Sequence, residues 1–186
     1  MVDSFTYAGE YRYALEIVGT GEPVMETITL SVRCAQSWLG GHGARPLCPE
    51  EPPRAVFAAW QSFEHGIMLW FSDTAQIYAL SDDGTFRIYG DTYVEGMPES
   101  PLSPPEGLIA PVRGFRRVWD ALGGEEGLGW ATAAEQGFDS ARQPAGRLSY
   151  TTYVLAADEA VYAITELPDA EIGFWSIVSG SSTADS

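Results

Sequence analysis

The chain has 186 residues, 45% of them hydrophobic and 12% aromatic, so it can bury one good core or two small ones and does not have a disordered composition. Its formal net charge is −16, and its ten fixed positive charges are all arginine. Because every phosphate contact needs a cation, this charge predicts no binding to nucleic acid and no stable binding to anionic membranes. No stretch reaches the roughly 20 apolar residues of a membrane span, so we expect no membrane insertion.

The first 48 residues predict a small β unit. The segments "YRYALEIV" and "TITLSVRC" alternate apolar and polar residues, which is the period-two pattern of half-buried strands. Residues 19–23, "GTGEP", lie between them and are typical of a turn. We therefore expect an antiparallel pair. The residues that share its apolar face are Tyr11, Tyr13, Leu15, Ile17, Ile28, Leu30, Val32 and Cys34.

Cys34 and Cys48 bracket a Gly/Pro-rich loop, which predicts an intrachain disulfide. Closing a loop of about 15 residues stabilises a fold by roughly 3 kcal/mol in the chain-entropy model. Two alternatives remain open. One is two free thiols, and the other is a zinc site with His42 and His65, although no C-x-x-C or H-x-x-x-H spacing is present. A disulfide implies an oxidising compartment, so we expect an extracytoplasmic protein, secreted or on the cell surface.

Residues 49–54, "PEEPPR", break regular structure and separate an N-terminal unit at 1–48 from a second domain at 54–178. The next segment, "AVFAAWQSF", spaces its large apolar residues as in a short helix or turn. Three apolar runs then predict a three-stranded meander, and "SDDG" before the third run is a strong hairpin signal. The large residues of the first segment are Val56, Phe57, Trp60 and Phe63, and the three runs are Ile67–Phe71, Gln76–Leu80 and Thr85–Tyr89.

The middle of the second domain contains a proline-rich segment, Pro98–Pro111, that predicts a long ordered surface loop. "GFRRVWDALGG" follows, with apolar residues at i, i+3, i+4 and i+7. This spacing predicts a helix over Phe115–Leu122 that ends at Gly123 and Gly124 through a left-handed cap. Strands follow, and then a flexible tail at 179–186. The predicted fold class is mainly β, with small antiparallel sheets or meanders, one or two short helices and long Pro/Gly-rich loops.

Two strand pairs echo each other on either side of the helix. Ile77–Tyr89 and Val161–Trp175 each contain an aromatic-bearing strand, an acidic turn and a second aromatic strand. The similarity predicts either an internal repeat of two related β units or two hairpins that converged on one pattern.

A short motif follows the helix, in "GEEGLGWATAAEQGF" at residues 124–138, and a glycine-led aromatic strand, "FEHGIMLW", precedes it. This order resembles the LGFP repeats of bacterial cell-surface proteins, in which a Leu-Gly-x-Pro-Thr-Ser-Asp-Glu turn follows a short helix between F-x-x-G-x-I-x-W strands. The resemblance spans residues 60–175 and implies a protein of the cell wall and cell surface. It departs from the family at Ala131, where the family has proline, and at the degraded second copy "ARQPAGRLSY". The residues that carry it are Phe63, Gly66, Met68, Trp70, Leu128, Gly129, Trp130, Thr132 and Glu135.

The same turn also has a plain physical interpretation. Trp130 and Phe138 are placed to pack back on Trp119 of the helix. Thr132, with Glu135 three residues on, has the pattern of a capping box. The alternative is that Trp130 is a solvent-facing platform for a sugar.

We identify no catalytic residues, metal site or cofactor from the sequence. Nucleophile-elbow, P-loop and dinucleotide-binding patterns are absent. Glu64 and His65 have the residue types of an acid–base pair, but neighbours on a strand point to opposite faces. The acids of "SDDG" and "DTYVEG" lack the spacing of a calcium-binding loop, so we interpret them as a solvated hairpin tip and loop. They are Asp82, Asp83, Asp91 and Glu95.

Together these features predict a non-catalytic, extracytoplasmic binding or interaction module of the cell envelope, with a cell-wall glycan or an envelope protein as its partner. One alternative is a structural subunit of a surface protein assembly, which would expose a large apolar patch. A second is a hydrolase in which two carboxylates, for example Glu64 and Asp91, converge in a cleft. The residues expected to bind flank hairpin turns or the Leu-Gly turn and are Trp70, Tyr89, Tyr93 and Trp130.

Overall fold

The computed structural model describes residues 7–17, 19, 24–41, 48–98, 101–146, 149–168 and 170–178. These residues form ten strands, one α-helix and two short 3-10 turns, which confirms the predicted mainly β class. The predicted tail at 179–186 and His42 lie outside the described residues. The elements are β1 (Gly9–Ile17), β2 (Val24–Val32), β3 (Arg54–Phe63), β4 (Gly66–Phe71), β5 (Gln76–Ser81), β6 (Thr85–Gly90), α1 (Arg113–Ala121), β7 (Gln136–Pro144), β8 (Thr151–Leu155), β9 (Val161–Thr165) and β10 (Gly173–Val178), with the 3-10 turns at Leu39–Gly41 and Gly124–Glu126.

β1 and β2 form the predicted antiparallel pair, with Tyr11 opposite Leu30 and Tyr13 opposite Ile28. They make a separate two-stranded sheet. The predicted half-burial of this pair is wrong: Leu15 is 63% exposed and Ile28 is 61% exposed. Local alternation determines which residues share a face, whereas burial of that face needs a second layer, and the described residues do not supply one here.

The segment predicted as a short helix or turn is the strand β3, so that prediction is wrong. β3 pairs with β4 across a two-residue turn, and it pairs with β7 on its other side, where Arg54 lies opposite Arg142. One face of β3 lies in the barrel interior and the other lies under an outer layer, so apolar residues occur on both faces and simple alternation is lost. Pairing on both edges overrides the helix-like spacing of its aromatic residues.

Strands β3 to β10 close into one antiparallel barrel, in the order β3-β4-β5-β6-β10-β9-β8-β7. The chain makes two four-stranded meanders, β3–β6 and β7–β10, which pair first strand to first strand and last strand to last strand. The predicted three-stranded meander is confirmed as β4, β5 and β6, with Gly84 at φ 84° in the last hairpin. The two echoing segments occupy the third and fourth strands of their meanders, so they hold equivalent positions.

Side chains of the described residues fill the barrel interior. Phe71 and Phe86 are buried there, and Tyr78 stacks on Phe86 with ring centres 5.9 Å apart. The guanidinium of Arg142 lies 4.8 Å from the ring centre of Phe71. Burial raises the pKa of the Tyr78 phenol, and the charge of Arg142 opposes that rise. Because these side chains occupy the interior of the barrel, a ligand site is expected on the outer surface.

The helix α1 packs on the outer face of the first meander through Phe115, Val118 and Trp119, which confirms the predicted helix. Gly123 follows its C-terminus at φ 97° and provides the predicted left-handed cap. The apolar stripe thus determines which side of the helix faces the barrel.

The proline-rich loop before α1 is ordered where it is described. The backbone N of Ile109 donates to the oxygen of Ala131 at 2.8 Å, and the N of Ala131 donates back at 3.2 Å. Leu102 and Leu108 are partly buried against the α1 layer. Residues 99 and 100 of the predicted loop lie outside the described residues.

Cys34 and Cys48 form the predicted disulfide, with their Cα atoms 5.2 Å apart. The two alternatives, free thiols and a zinc site, are therefore wrong for this structure, because neither sulfur is available as a thiolate.

The segment that follows Cys34 is held on the outer face of the second meander. Trp38 meets Tyr153 of β8 edge-on, with ring centres 5.3 Å apart. Gln143 of β7 is fully buried and bonds the same segment through both ends of its amide. Its Nε2 donates to Ser37 O at 3.1 Å and to Glu51 O at 2.7 Å, and its Oε1 accepts from Leu39 N at 2.7 Å. The loop closed by the disulfide, which the sequence assigned to the N-terminal unit at 1–48, thus contacts the barrel of the second domain.

We expect reduction of the Cys34–Cys48 disulfide to lower the free energy of unfolding by about 3 kcal/mol, because the opened chain regains conformational entropy when it unfolds. Urea denaturation with and without a reductant measures this difference, and the double variant Cys34→Ser/Cys48→Ser is the covalent control. An unchanged midpoint in both would contradict the expectation.

Candidate functional site

A cleft of about 340 Å³ opens on the outer face of the barrel, where α1 begins. Its walls are the strands β3, β4, β5 and β7, the segment after β6 and the first turn of α1. It lies at the rim of the helix layer, outside the filled barrel. Its lining combines the aromatic residues Phe57, Trp70, Tyr93 and Phe115 with the charged residues Asp91, Arg113 and Glu135.

Two glycines shape this cleft. A Cβ on Gly114 would lie 2.6 Å from Oδ1 of Asp91, and a Cβ on Gly137 would lie 2.7 Å from the ring of Phe57. The helix start and the aromatic ring therefore approach the sheet this closely only because both positions lack a side chain.

Two of the four predicted binding residues line the cleft. Trp70, on the outer face of β4, is half-buried, and its Nε1 has no hydrogen-bond partner among the described residues. Tyr93, in the segment after β6, is also half-buried. Phe57 joins them at the edge of the cleft with 51% of its surface exposed. The structure thus brings Trp70 and Tyr93 together and adds a third ring with an accessible face.

The other two predicted binding residues do not line the cleft. Tyr89 of β6 is partly buried against the α1 layer. Trp130 is 7% exposed, and its ring centre lies 4.9 Å from that of Trp119. The predicted packing of Trp130 on Trp119 is confirmed, whereas Phe138 packs in the other cluster, inside the barrel. A ring buried to this extent presents no open face to a sugar.

The charged residues of the cleft are held in place by contacts to backbone and to each other. Oδ1 of Asp91 accepts from the backbone N of Tyr93 at 3.0 Å, and the carboxylate lies beside the first turn of α1, whose partial positive charge favours it. Nη1 of Arg113 lies 3.4 Å from Oε1 of Glu135. Arg113 has φ 56°, which is uncommon for a residue with a side chain. Residues in such strained backbone conformations occur most often at functional sites.

Phe57, Arg113 and Glu135 are cleft residues that belong to no binding pattern in the sequence. Phe57 lies in the segment predicted as a helix or turn, and that prediction does not show that its side chain points away from the barrel interior. Glu135 was expected to complete a capping box with Thr132, and that prediction is wrong because the strand β7 begins at Gln136 and no helix follows. Only the alternation within β3, once that segment is known to be a strand, places Phe57 on the outer face.

Residues Leu128, Gly129 and Trp130, the Leu-Gly-Trp turn, are hydrogen-bonded to the turn between β3 and β4. The backbone N atoms of Glu64 and His65 donate to the oxygens of Trp130 and Leu128, both at 3.0 Å. Oε2 of Glu64 accepts from the backbone N of Trp130 at 2.8 Å. Gly129 permits this approach, since a Cβ there would lie 2.7 Å from the Cβ of Glu64. Leu128, Gly129 and Trp130 of the LGFP-like pattern thus hold the two turns together by hydrogen bonds and close packing.

The acids considered for catalysis or metal binding do not form a second site. Glu64 bonds the Leu-Gly-Trp turn and does not line the cleft that contains Asp91. Asp83 accepts from Oγ1 and N of Thr85 at 2.7 and 2.9 Å, and these hydrogen bonds lower its pKa. Within the described residues, no group of three or more His, Cys, Asp or Glu side chains is placed to hold a metal ion.

Comparisons with protein-family models, curated proteins and solved structures give no match. The LGFP resemblance therefore stays a prediction from its motif residues. None of the helices among the described residues is long and apolar enough to cross a membrane.

Proposed function

We propose that the chain is a non-catalytic, extracytoplasmic binding module of the cell envelope and that the outer cleft binds a cell-wall glycan. The observation that carries this proposal is the convergence of one exposed ring, Phe57, two half-buried rings, Trp70 and Tyr93, and two carboxylates in one concave site. The Cys34–Cys48 disulfide supports an extracytoplasmic location, because such bonds persist in oxidising compartments.

The chemistry of the cleft suits a sugar. One face of a pyranose ring carries C–H groups that stack on an aromatic side chain, and its hydroxyls donate to carboxylates such as those of Asp91 and Glu135. Ligand pockets usually enclose about 300–1,000 Å³, so this cleft is at the small end of that range and suits a short stretch of a longer glycan.

We expect Phe57→Ala to weaken binding to purified cell-wall polysaccharide about tenfold, because a lost stacking contact of about 1.4 kcal/mol corresponds to that factor. Phe174→Ala is the matched control, since Phe174 is 53% exposed, Phe57 is 51% exposed, and Phe174 does not line the cleft. Pull-down followed by a titration measures both variants against the wild type.

Three results would contradict the proposal. The folded wild type could bind no wall fraction, or Phe57→Ala and Phe174→Ala could bind equally well. Release of new reducing ends from the polysaccharide, lost in Asp91→Asn, would replace the binding module by the hydrolase alternative.

A second candidate, a structural subunit that self-associates, is favoured by the exposed, mostly apolar face of the β1–β2 pair, on which Glu26 lies opposite Leu15. The occupant that we propose for this face is a second copy of the chain, since one apolar face can meet its own copy about a twofold axis. Five large side chains on it are 43–63% exposed, namely Tyr13, Leu15, Ile17, Ile28 and Leu30.

For this candidate we expect the wild type to dimerise as its concentration rises and Ile28→Thr to shift it toward monomer, because a polar hydroxyl then replaces buried apolar surface. Light scattering after size exclusion measures the mass. A wild type that stays monomeric at every concentration would contradict the candidate.

A further inference from the structure

We propose that the sugar bound in the outer cleft carries a free, protonated amine, as in a de-N-acetylated hexosamine. This inference rests on the proposed glycan-binding function. It concerns only which sugar the cleft prefers.

The balance of charge in the cleft favours a cation. Two carboxylates, Asp91 and Glu135, and one guanidinium, Arg113, line it. Nη1 of Arg113 lies 3.4 Å from Glu135, so the guanidinium is engaged within the protein and the carboxylate of Asp91 is left in excess. With a net charge of −16, the whole chain also attracts cationic ligands and repels uronic acids or phosphorylated sugars.

The aromatic lining points in the same direction. Trp70 and Tyr93 line the cleft together with Asp91, so an ammonium that reaches the carboxylate also meets aromatic surface. Cations are attracted to the faces of tryptophan and tyrosine, and the attraction is stronger where water is excluded. The proposed ammonium would then make an ion pair with Asp91 and a cation–π contact with one of these rings.

An N-acetylated sugar lacks this combination. Its amide offers one N–H donor but no charge, so the carboxylate of Asp91 would lose hydration without gaining an ion pair. The Oδ1 atom of Asp91 is already bonded to the backbone N of Tyr93, and this fixes the carboxylate in the cleft before a ligand arrives. Discrimination between the two forms of one sugar should thus depend on Asp91.

The test compares a glucosamine tetrasaccharide with an N-acetylglucosamine tetrasaccharide by calorimetry, at a pH below the pKa of the amine and at about 0.15 M ionic strength, which screens distant charges. We expect the wild type to bind the amine form at least tenfold more tightly. Asp91→Asn should bring the ratio of the two affinities close to one, because the amide still accepts from Tyr93 N but carries no charge. Asp82→Asn removes the same charge at an exposed hairpin tip and should leave the ratio unchanged.

Each remaining outcome counts against the inference. Equal binding of the two tetrasaccharides, or tighter binding of the acetylated one, would overturn the preference for an amine and leave the glycan-binding function standing. A ratio that falls equally in Asp82→Asn and Asp91→Asn would assign the preference to overall charge. If neither tetrasaccharide binds and no wall fraction binds, the proposed function fails as well.

Discussion

We expect Gly66→Ala to lower the free energy of unfolding by more than about 4 kcal/mol and so to prevent stable folding. A Cβ at this position would lie 2.1 Å from the backbone oxygen of Leu80 and 3.0 Å from Cδ2 of Leu128. The oxygen cannot move away easily, because β4 and β5 are paired and Gly66 lies opposite Ser81. Circular dichroism during urea and thermal denaturation measures the loss.

The control for this variant is Gly9→Ala. Gly9 has the same φ, 154°, but nothing lies within 4 Å of a Cβ built there. Its cost should therefore be limited to the backbone strain of a non-glycine residue at this φ, about 1–3 kcal/mol. If Gly66→Ala were no less stable than Gly9→Ala, close packing at the start of β4 would not be the reason for glycine.

We expect Trp130→Ala to lower the free energy of unfolding by about 3–5 kcal/mol, the usual cost of removing a large buried aromatic side chain. Trp130 is the last residue of the Leu-Gly-Trp turn and packs on Trp119, so its loss leaves a cavity between the helix and the barrel. Trp130→Phe should cost much less, because the Nε1 atom of Trp130 has no partner among the described residues. Urea denaturation of the two variants measures the difference.

Trp119→Phe provides the contrast. Nε1 of Trp119 donates to the oxygen of Gly129 at 2.6 Å, so phenylalanine leaves a buried carbonyl unbonded and adds about 1–3 kcal/mol to the cost. Equal stability of Trp119→Phe and Trp130→Phe would contradict this assignment. A Trp130→Ala variant that kept full stability but lost glycan binding would instead make Trp130 a ligand-binding residue.

Local patterns in the sequence were sufficient for the elements whose partners are near in the chain. Alternation predicted the β1–β2 pair, "SDDG" predicted the hairpin before β6, and the apolar stripe with its terminal glycines predicted α1. The Cys34–Cys48 bond belongs to this group as well, because a short loop brings the two residues together. Each of these depends on backbone preferences or on spacing within about 15 residues.

The candidate site could be predicted only in part. Trp70 and Tyr93 were found because aromatic residues near hairpin turns are often accessible, but the same reasoning also selected Trp130, which lies in the core. Phe57 was missed because its segment resembles a helix until its strand partners are known. Accessibility of a ring depends on what packs over it, and sequence spacing does not contain that information.

By itself, the sequence determined the mainly β class, the β1–β2 pair, the β4–β6 meander and the helix, because short-range geometry decides them. It also favoured the disulfide, which the structure then separated from the free-thiol and zinc alternatives. The tertiary structure alone decided that β3 is a strand, that two meanders close into a barrel and that a cleft forms outside it. The deciding contacts join distant parts of the chain, such as Arg54 opposite Arg142 and Gly173 opposite Phe86. No local preference specifies such pairs, because they form when burial of both sheet faces outweighs the entropy of closing long loops.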